Sequence, residues 1–246
     1  MRGKWFFALA LAAVLVVAAA VAYMFILRSQ LTVSENVGGK YQSRIEIVEK
    51  DPRGFDVGKI FYVKDGVEHS GYWGANMRNA LEWIMNSTPE DAVFLNWWDY
   101  GHMIVGYAER ESVSKNPSSE ALISVRDPSD FHELDPNSTI ADVAKALTTT
   151  DENETLTIMI KYNASYILVA ADDGKGKAGW LFRFAGLNYS DYFNYSWQPT
   201  DMPFDPNQYN ELGKQTVFCR ILTHAQIPGL TQVYSNENFT ICRRPA

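Results

Sequence analysis

Five consecutive residues near the middle of the chain combine a carboxylate with aromatic rings: Trp97-Trp98-Asp99-Tyr100-Gly101. They follow the apolar stretch 92–96, which predicts an interior strand, and in α/β sheets binding groups collect where a strand ends. The carboxylate of Asp99 accepts hydrogen bonds strongly where water is partly excluded, and the indoles supply apolar walls and N–H donors. Gly101 lets another backbone approach closely. The pattern predicts a site that holds a small hydroxyl group.

A structural role is the alternative for the same residues. Trp97 and Trp98 would then be core aromatics, and Asp99 would cap a helix over residues 100–107. Tyr100 could serve mainly in packing.

The five-residue run matches, residue for residue, the signature of the catalytic subunit of archaeal and eukaryotic oligosaccharyltransferase. Segments 73–83, 86–93 and 161–169 also resemble the helix and strands around that signature. The resemblance covers roughly residues 70–243, which correspond to the family's C-terminal soluble domain. Because this family attaches lipid-linked glycans to asparagine in Asn-X-Ser/Thr, the resemblance implies that Trp97 to Gly101 bind the Ser or Thr of an acceptor.

Segment 171–184 resembles the family's second acceptor motif, an Asp and a Lys followed by a helix that carries Met or Ile. Asp172 and Lys175 have the three-residue spacing of that motif, whereas Lys177 better matches the eukaryotic register. Leu181 stands where Met is expected. The resemblance implies that these four residues bind the acceptor, with the methyl group of threonine against Leu181. The alternative is a solvated glycine-rich loop that leads into a helix.

The acids that the family uses for catalysis are missing. The resemblance implies a divalent metal held partly by an Asp-X-Asp pair and carried by a bundle of membrane helices, but no Asp-X-Asp occurs in this sequence. The histidines, at 69, 102, 132 and 224, have no metal-site spacing. We therefore expect no catalytic residue, metal site or cofactor on this chain, and we expect Mg or Mn in the missing catalytic part.

Residues Trp5–Leu27 form an uninterrupted apolar run of 23 residues, long enough to span a bilayer. Arg2 and Lys4 precede it, which predicts a cytoplasmic N-terminus, a single-pass anchor in the cell membrane and an extracellular remainder. A signal peptide cleaved near residues 20–22 is the alternative.

The charge is unevenly distributed. The net charge of −7 divides into +3 over residues 1–30 and −10 over residues 31–246. An acidic domain argues against nucleic acid and anionic headgroups as partners, since phosphate binding requires a basic surface.

Two further patterns fit an external location. Asn-X-Ser/Thr occurs seven times, where chance would give about two, and this excess predicts N-glycosylation; the alternative is that Ser and Thr simply follow Asn in turns. The candidate asparagines are Asn86, Asn137, Asn153, Asn163, Asn188, Asn194 and Asn238. The two cysteines, Cys219 and Cys242, are compatible with one disulfide between neighbouring strands or with two buried thiols.

The pattern of elements predicts an α/β fold: a single N-terminal transmembrane helix, then a mixed α/β layered extracellular domain with a small β appendage. The division is a membrane anchor over 1–30, a β-rich appendage over 31–69 and an acceptor-recognition domain over 70–246. Strands are predicted at 44–48, 59–63, 92–96, 166–170, 217–221, 231–234 and 239–242, and helices at 73–86, after Ser138 and after Asp151.

Two classes of function follow. The first is the acceptor-sequon recognition domain of an oligosaccharyltransferase, inactive alone. Its partners would be acceptor polypeptides, a multi-span catalytic membrane region and, indirectly, a polyprenyl-phosphate-linked glycan. The second is a membrane-anchored, glycosylated extracellular binding module without transferase activity.

Overall fold

The computed structural model of the chain describes residues 33–115, 137–194 and 204–245. The apolar segment 5–27 lies outside these residues, and so does the alternative cleavage site. Within the described ranges, no helix is both long and apolar enough to cross a membrane.

The first sheet has four antiparallel strands in sequence order. They are β1 (Val33–Gly38), β2 (Ser43–Lys50), β3 (Asp56–Lys64) and β4 (Val67–Gly74). The turn between β3 and β4 places Asp65 and Gly66 at φ angles of 53° and 76°, as the twist of a two-residue hairpin requires. This sheet falls largely within residues 31–69, the segment predicted to form a β-rich appendage. Strand β4 runs through residue 69, so the boundary placed there stays a prediction.

The second sheet has five strands in the order β6-β5-β7-β9-β8. They are β5 (Val93–Asn96), β6 (Glu111–Ser112), β7 (Tyr166–Ala170), β8 (Thr231–Ser235) and β9 (Phe239–Arg243). Strand β5 is parallel to both β6 and β7, and β9 is antiparallel to β7 and β8. The chain leaves β5 toward β6 on one side, while β7 lies on the other. The carboxyl ends of β5 and β7 therefore border the kind of crevice where ligands bind in open α/β sheets.

Helices accompany these sheets in the described residues. They are α1 (Arg78–Ser87), α2 (Trp98–Gly106), α3 (Thr139–Thr148), α4 (Glu152–Lys161), α5 (Ala178–Phe184), α6 (Glu211–Lys214) and α7 (Val217–Leu222). The two predicted caps are confirmed: the side chain of Ser138 accepts from the Ala141 N–H, and that of Asp151 accepts from the Asn153 N–H. The fold is mixed α/β, as the sequence predicts.

Two element predictions are wrong. The helix predicted from residue 73 begins at Arg78, because β4 continues to Gly74 and a short 3₁₀ turn, Ala75–Met77, follows it. The strand predicted at 217–221 is helix α7. A short apolar run fits a buried helix as well as a buried strand, and only tertiary packing decides between them.

Candidate functional site

The five-residue run lies where β5 passes into α2. Trp97 has an extended backbone, with φ −62° and ψ 146°, and α2 begins at Trp98. The prediction that the run follows a buried strand is confirmed. The alternative that Asp99 caps the helix is wrong, because Trp97 holds the N-cap position and Asp99 lies in the first turn. There its charge meets the positive end of the helix dipole.

Asp99 forms an ion pair with Lys177, which lies at the end of the loop between β7 and α5. The distance from Oδ2 to Nζ is 2.7 Å, and the two side chains are 30 % and 29 % exposed. Burial alone would lower the pKa of Lys177, but the carboxylates of Asp99 and Asp173 outweigh it and raise the pKa overall. The Lys177 ammonium is therefore stabilised beside a carboxylate that a ligand can reach.

A chain of hydrogen bonds leads from this ion pair into the core and holds Lys177 in place. The Lys177 ammonium donates to the Tyr100 hydroxyl over 2.9 Å, and that hydroxyl donates to Asp173 Oδ1 over 2.8 Å. The other oxygen of Asp173 accepts from the Ala170 N–H at 2.9 Å. Asp173 is wholly buried, and burial raises its pKa to about 6. Tyr100, also buried, has its pKa raised well above its usual value by the same cause.

The two tryptophans stack on each other, with ring centroids 3.9 Å apart. Phe184 of α5 packs against both rings edge-on. Trp97 is 1 % exposed and belongs to the core, whereas Trp98 is half-buried. Among the described residues, neither indole N–H forms a hydrogen bond. Of the two rings, Trp98 is therefore the one that can offer an apolar surface to a ligand.

Gly101 lies against the chain that follows β6. A Cβ atom there would come within 2.1 Å of the Ser114 carbonyl oxygen and 2.6 Å of Lys115 Cα. The predicted close approach of another backbone is thus an internal contact of the fold. Asn96 holds the same segment in place. Its side-chain N–H donates to the Ser114 carbonyl oxygen, and its side-chain oxygen accepts from the Ser112 hydroxyl group.

Asp172 and Lys175 form a second ion pair, 3.0 Å long, and neither is bonded to Asp99. Arg53, from the loop between β2 and β3, reaches Asp172 at 3.4 Å and Asp51 at 3.0 Å. The first sheet therefore contributes to the site through the contact between Arg53 and Asp172. These residues are 119 positions apart, and no sequence pattern predicts their contact.

The loop between β7 and α5 is not the solvated segment of the alternative interpretation. Asp173, Gly174 and Lys175 are all buried. Asp172, Lys175 and Lys177 of the loop take part in the two ion pairs, and Asp173 accepts hydrogen bonds from Tyr100 and the Ala170 N–H.

Leu181 requires a correction. Its side chain is fully buried on the inward face of α5, so the predicted contact with a threonine methyl group is not available in this structure. The neighbouring Trp180 is 39 % exposed and faces outward. The sequence placed the helix correctly but could not tell which of the two residues points toward the core.

No protein-family model matches the chain. Among curated proteins, it is 26 % identical over 135 residues to the stt3 subunit of dolichyl-diphosphooligosaccharide–protein glycosyltransferase from Schizosaccharomyces pombe. It is 30 % identical over 117 residues to the stt-3 subunit from Caenorhabditis elegans. Its homologues are Stt3 subunits of oligosaccharyltransferase. These alignments cover 52 % and 45 % of this chain but only 14 % and 13 % of the relatives.

The chain is also similar to solved structures from Archaeoglobus fulgidus. With the C-terminal globular domain of oligosaccharyltransferase it shares 19 % identity and a TM-score of 0.45, over 68 % of this chain and 96 % of that one. With oligosaccharyltransferase AglB, in complex with an inhibitory peptide and a dolichol-phosphate, it shares 17 % identity and a TM-score of 0.45. That match covers 63 % of this chain and 22 % of AglB.

The described part of the chain contains no group of three or more His, Cys, Asp or Glu side chains that could hold a metal ion. His102, inside α2, is instead a core residue whose Nδ1 lies 3.0 Å from the Tyr62 hydroxyl.

The two cysteines of the chain are both free and buried, so the predicted disulfide is not formed. Cys219 lies in α7, a helix where a strand was expected, and Cys242 lies in β9. Burial raises the pKa of Cys219 to about 12 and that of Cys242 to about 11. The alternative of two buried thiols describes the structure.

The seven sequon asparagines all lie at the surface of the protein. Six are exposed, and Asn238 is half-buried. Their glycosylation stays a prediction.

Proposed function

We propose that the chain is the acceptor-recognition part of an oligosaccharyltransferase that carries out protein N-glycosylation. In this role, Asp99 recognises the hydroxyl group of the Ser or Thr in Asn-X-Ser/Thr. The observation that supports this proposal most is the placement of Asp99: a partly exposed carboxylate at the carboxyl edge of β5, held by Lys177, in a chain whose homologues are glycosyltransferase subunits.

The ion pair can bind a hydroxyl group from both sides. The hydroxyl donates to the Asp99 carboxylate, which only accepts hydrogen bonds. Lys177 has three N–H donors, of which two serve Asp99 and Tyr100, and the third can donate to the hydroxyl oxygen. A charge-assisted hydrogen bond contributes about 1.5–3 kcal/mol, roughly 10- to 100-fold in affinity.

Threonine adds one methyl group to the serine hydroxyl. With Leu181 buried, the half-buried ring of Trp98 is the apolar surface nearest in sequence to Asp99. Burial of one methyl group contributes about 0.8 kcal/mol, which favours threonine over serine about fourfold.

Bond formation is assigned to the part of the enzyme outside this chain. The chain spans about a seventh of the length of the S. pombe relative. The divalent metal, Mg or Mn, and the lipid-linked glycan would bind in the missing multi-span region, and this chain would meet the glycan only indirectly. The apolar segment 5–27 would anchor the chain as a single-pass span, with the N-terminus in the cytoplasm and the remainder outside the cell.

The proposal is tested by Asp99→Ala in the full chain, purified in a mild detergent. Binding of an Asn-Ala-Thr peptide, followed by ligand-observed NMR, should weaken at least tenfold because the hydroxyl loses its acceptor. The melting temperature should change little, since no large apolar area is lost. Asp91→Ala, an exposed acid before the same strand, is the matched control. Unchanged affinity in Asp99→Ala would contradict the assignment.

A further inference from the structure

A cavity of about 530 Å³ lies beside the Asp99 site. It opens between the loop that follows β7, the loop between β2 and β3, and the start of β9. Its apolar wall consists of Phe55, Phe204, Leu222 and Phe239.

The cavity and the Asp99 site share a wall. Lys175 lines the cavity, while Lys177 of the same loop holds Asp99. Phe239 also lines the cavity, and its ring packs edge-on against the ring of Tyr100, with centroids 5.5 Å apart. The two sites are therefore adjacent along one loop, and Asp172 links them, since it pairs with Lys175 at 3.0 Å and its charge also acts on Lys177.

The charges around the cavity do not select an anion. Arg53 is bonded to Asp51 and Asp172, and Lys175 is bonded to Asp172 as well. Glu237 adds a further negative charge to the lining. Polar side chains complete the lining, namely His224, Asn236, Asn238 and Thr240. The apolar part is formed largely by phenylalanine rings, which favour edge-to-face and offset packing with another ring. The guanidinium group of Arg53 can also lie over such a ring.

Resting on the proposed function, we propose that this cavity holds an aromatic side chain of the acceptor polypeptide, a few residues after the Ser or Thr. The asparagine of the sequon must reach a catalytic centre outside this chain, so the polypeptide before the Ser or Thr leads away from the domain. The residues after it are the ones that can lie along the domain. Because an extended chain advances at most about 3.5 Å per residue and the two sites share one loop, the aromatic side chain would belong to one of the first few residues after the Ser or Thr.

The test uses a set of peptides that carry Asn-Ala-Thr. Each peptide has a single Trp at one of the four positions after Thr, and every other position is Ala. Affinity for the full chain in detergent is measured by ligand-observed NMR, with a protein-free detergent blank. The best-placed Trp should tighten binding about tenfold over the all-Ala peptide. No gain at any position would overturn the proposal.

Two variants locate the effect. Phe55→Ala removes part of the cavity wall and should abolish most of the Trp gain. Phe61→Ala, the same substitution on β3 but outside the cavity lining, should retain it. An equal loss in both variants would show that the gain does not come from the cavity.

The failure of this proposal is distinguishable from failure of the proposed function. Replacing Thr by Ala in each peptide reports on the Asp99 site alone. If the preference for Thr survives and the Trp gain is absent, the cavity assignment is wrong and the recognition of the sequon stands. If the preference for Thr is absent, the proposed function is wrong, and an acceptor subsite in the cavity is wrong with it.

Discussion

At the scale of residues, the signature identifies Asp99, but the fold identifies its partners. Two lysines and two aspartates lie within the six residues 172–177, and spacing alone favours neither pairing. The structure turns Asp173 and Lys177 toward Tyr100 and leaves Asp172 with Lys175. Nothing in the sequence distinguishes Asp173 from its neighbour, because the direction of each side chain depends on how the loop leaves β7.

The buried carboxyl group of Asp173 should give the protein a measurable pH dependence. Its pKa is about 6 in the folded state, against about 3.9 in an unfolded chain. Between these values the unfolded state binds fewer protons, so the free energy of unfolding falls as pH rises from about 4 to about 6 and is then constant. The contribution of this group is on the order of 2–3 kcal/mol.

Asp173→Asn should remove this dependence, because an amide does not titrate. Urea unfolding of the full chain in detergent, at pH 4 and pH 7, measures the effect as the difference between variant and wild type. Relative to wild type, the variant should gain stability on going from pH 4 to pH 7. Asp91→Asn controls for the loss of an exposed charge. If the free energy of unfolding of Asp173→Asn changes between pH 4 and pH 7 by as much as that of the wild type, burial of Asp173 does not cause the pH dependence.

At the scale of elements, the sequence predicts what local signals determine. Strand β7 is recognised because five consecutive apolar or aromatic residues follow a turn signal, and all five are buried. The caps of α3 and α4 are recognised because Ser and Asp side chains readily accept hydrogen bonds from N–H groups of the first helical turn. Helix α7 is missed because its six residues form an apolar run whose conformation depends on its neighbours in the core.

Gly101 offers a test of how tightly two elements must approach. Gly101→Ala would place a Cβ atom 2.1 Å from the Ser114 oxygen, so α2 and the segment after β6 must separate. We expect a loss of about 2–4 kcal/mol in the free energy of unfolding, measured in urea, since overpacking and backbone shifts are costly.

Gly179→Ala in α5 is the matched control. There an added Cβ would meet only Tyr189 carbons at 3.7 Å, an ordinary contact. Alanine also has a higher helix propensity, so stability should be unchanged or rise by up to about 1 kcal/mol. Equal effects of the two substitutions would mean that no packing requirement keeps glycine at position 101.

At the scale of the whole molecule, the site is built from parts that are far apart in sequence. Two parallel strands bring residues 97–101 and 172–177 to one edge of the second sheet, and this much follows from their positions after buried strands. The contribution of the first sheet to the site cannot be predicted from the sequence. Arg53 meets Asp172 only because the two sheets pack around one core, which includes Ile45 and Ile60 of the first sheet.

The central claim is that Asp99 binds the hydroxyl group of the acceptor, and the most direct test compares Asn-Ala-Thr with Asn-Ala-Val. Valine has nearly the shape of threonine but lacks the hydroxyl. The full chain should bind the Thr peptide about 10- to 100-fold more tightly, and Asp99→Asn should reduce that ratio at least several-fold, because an uncharged amide accepts a weaker hydrogen bond. A Thr-to-Val ratio that is the same in wild type and Asp99→Asn would contradict the account.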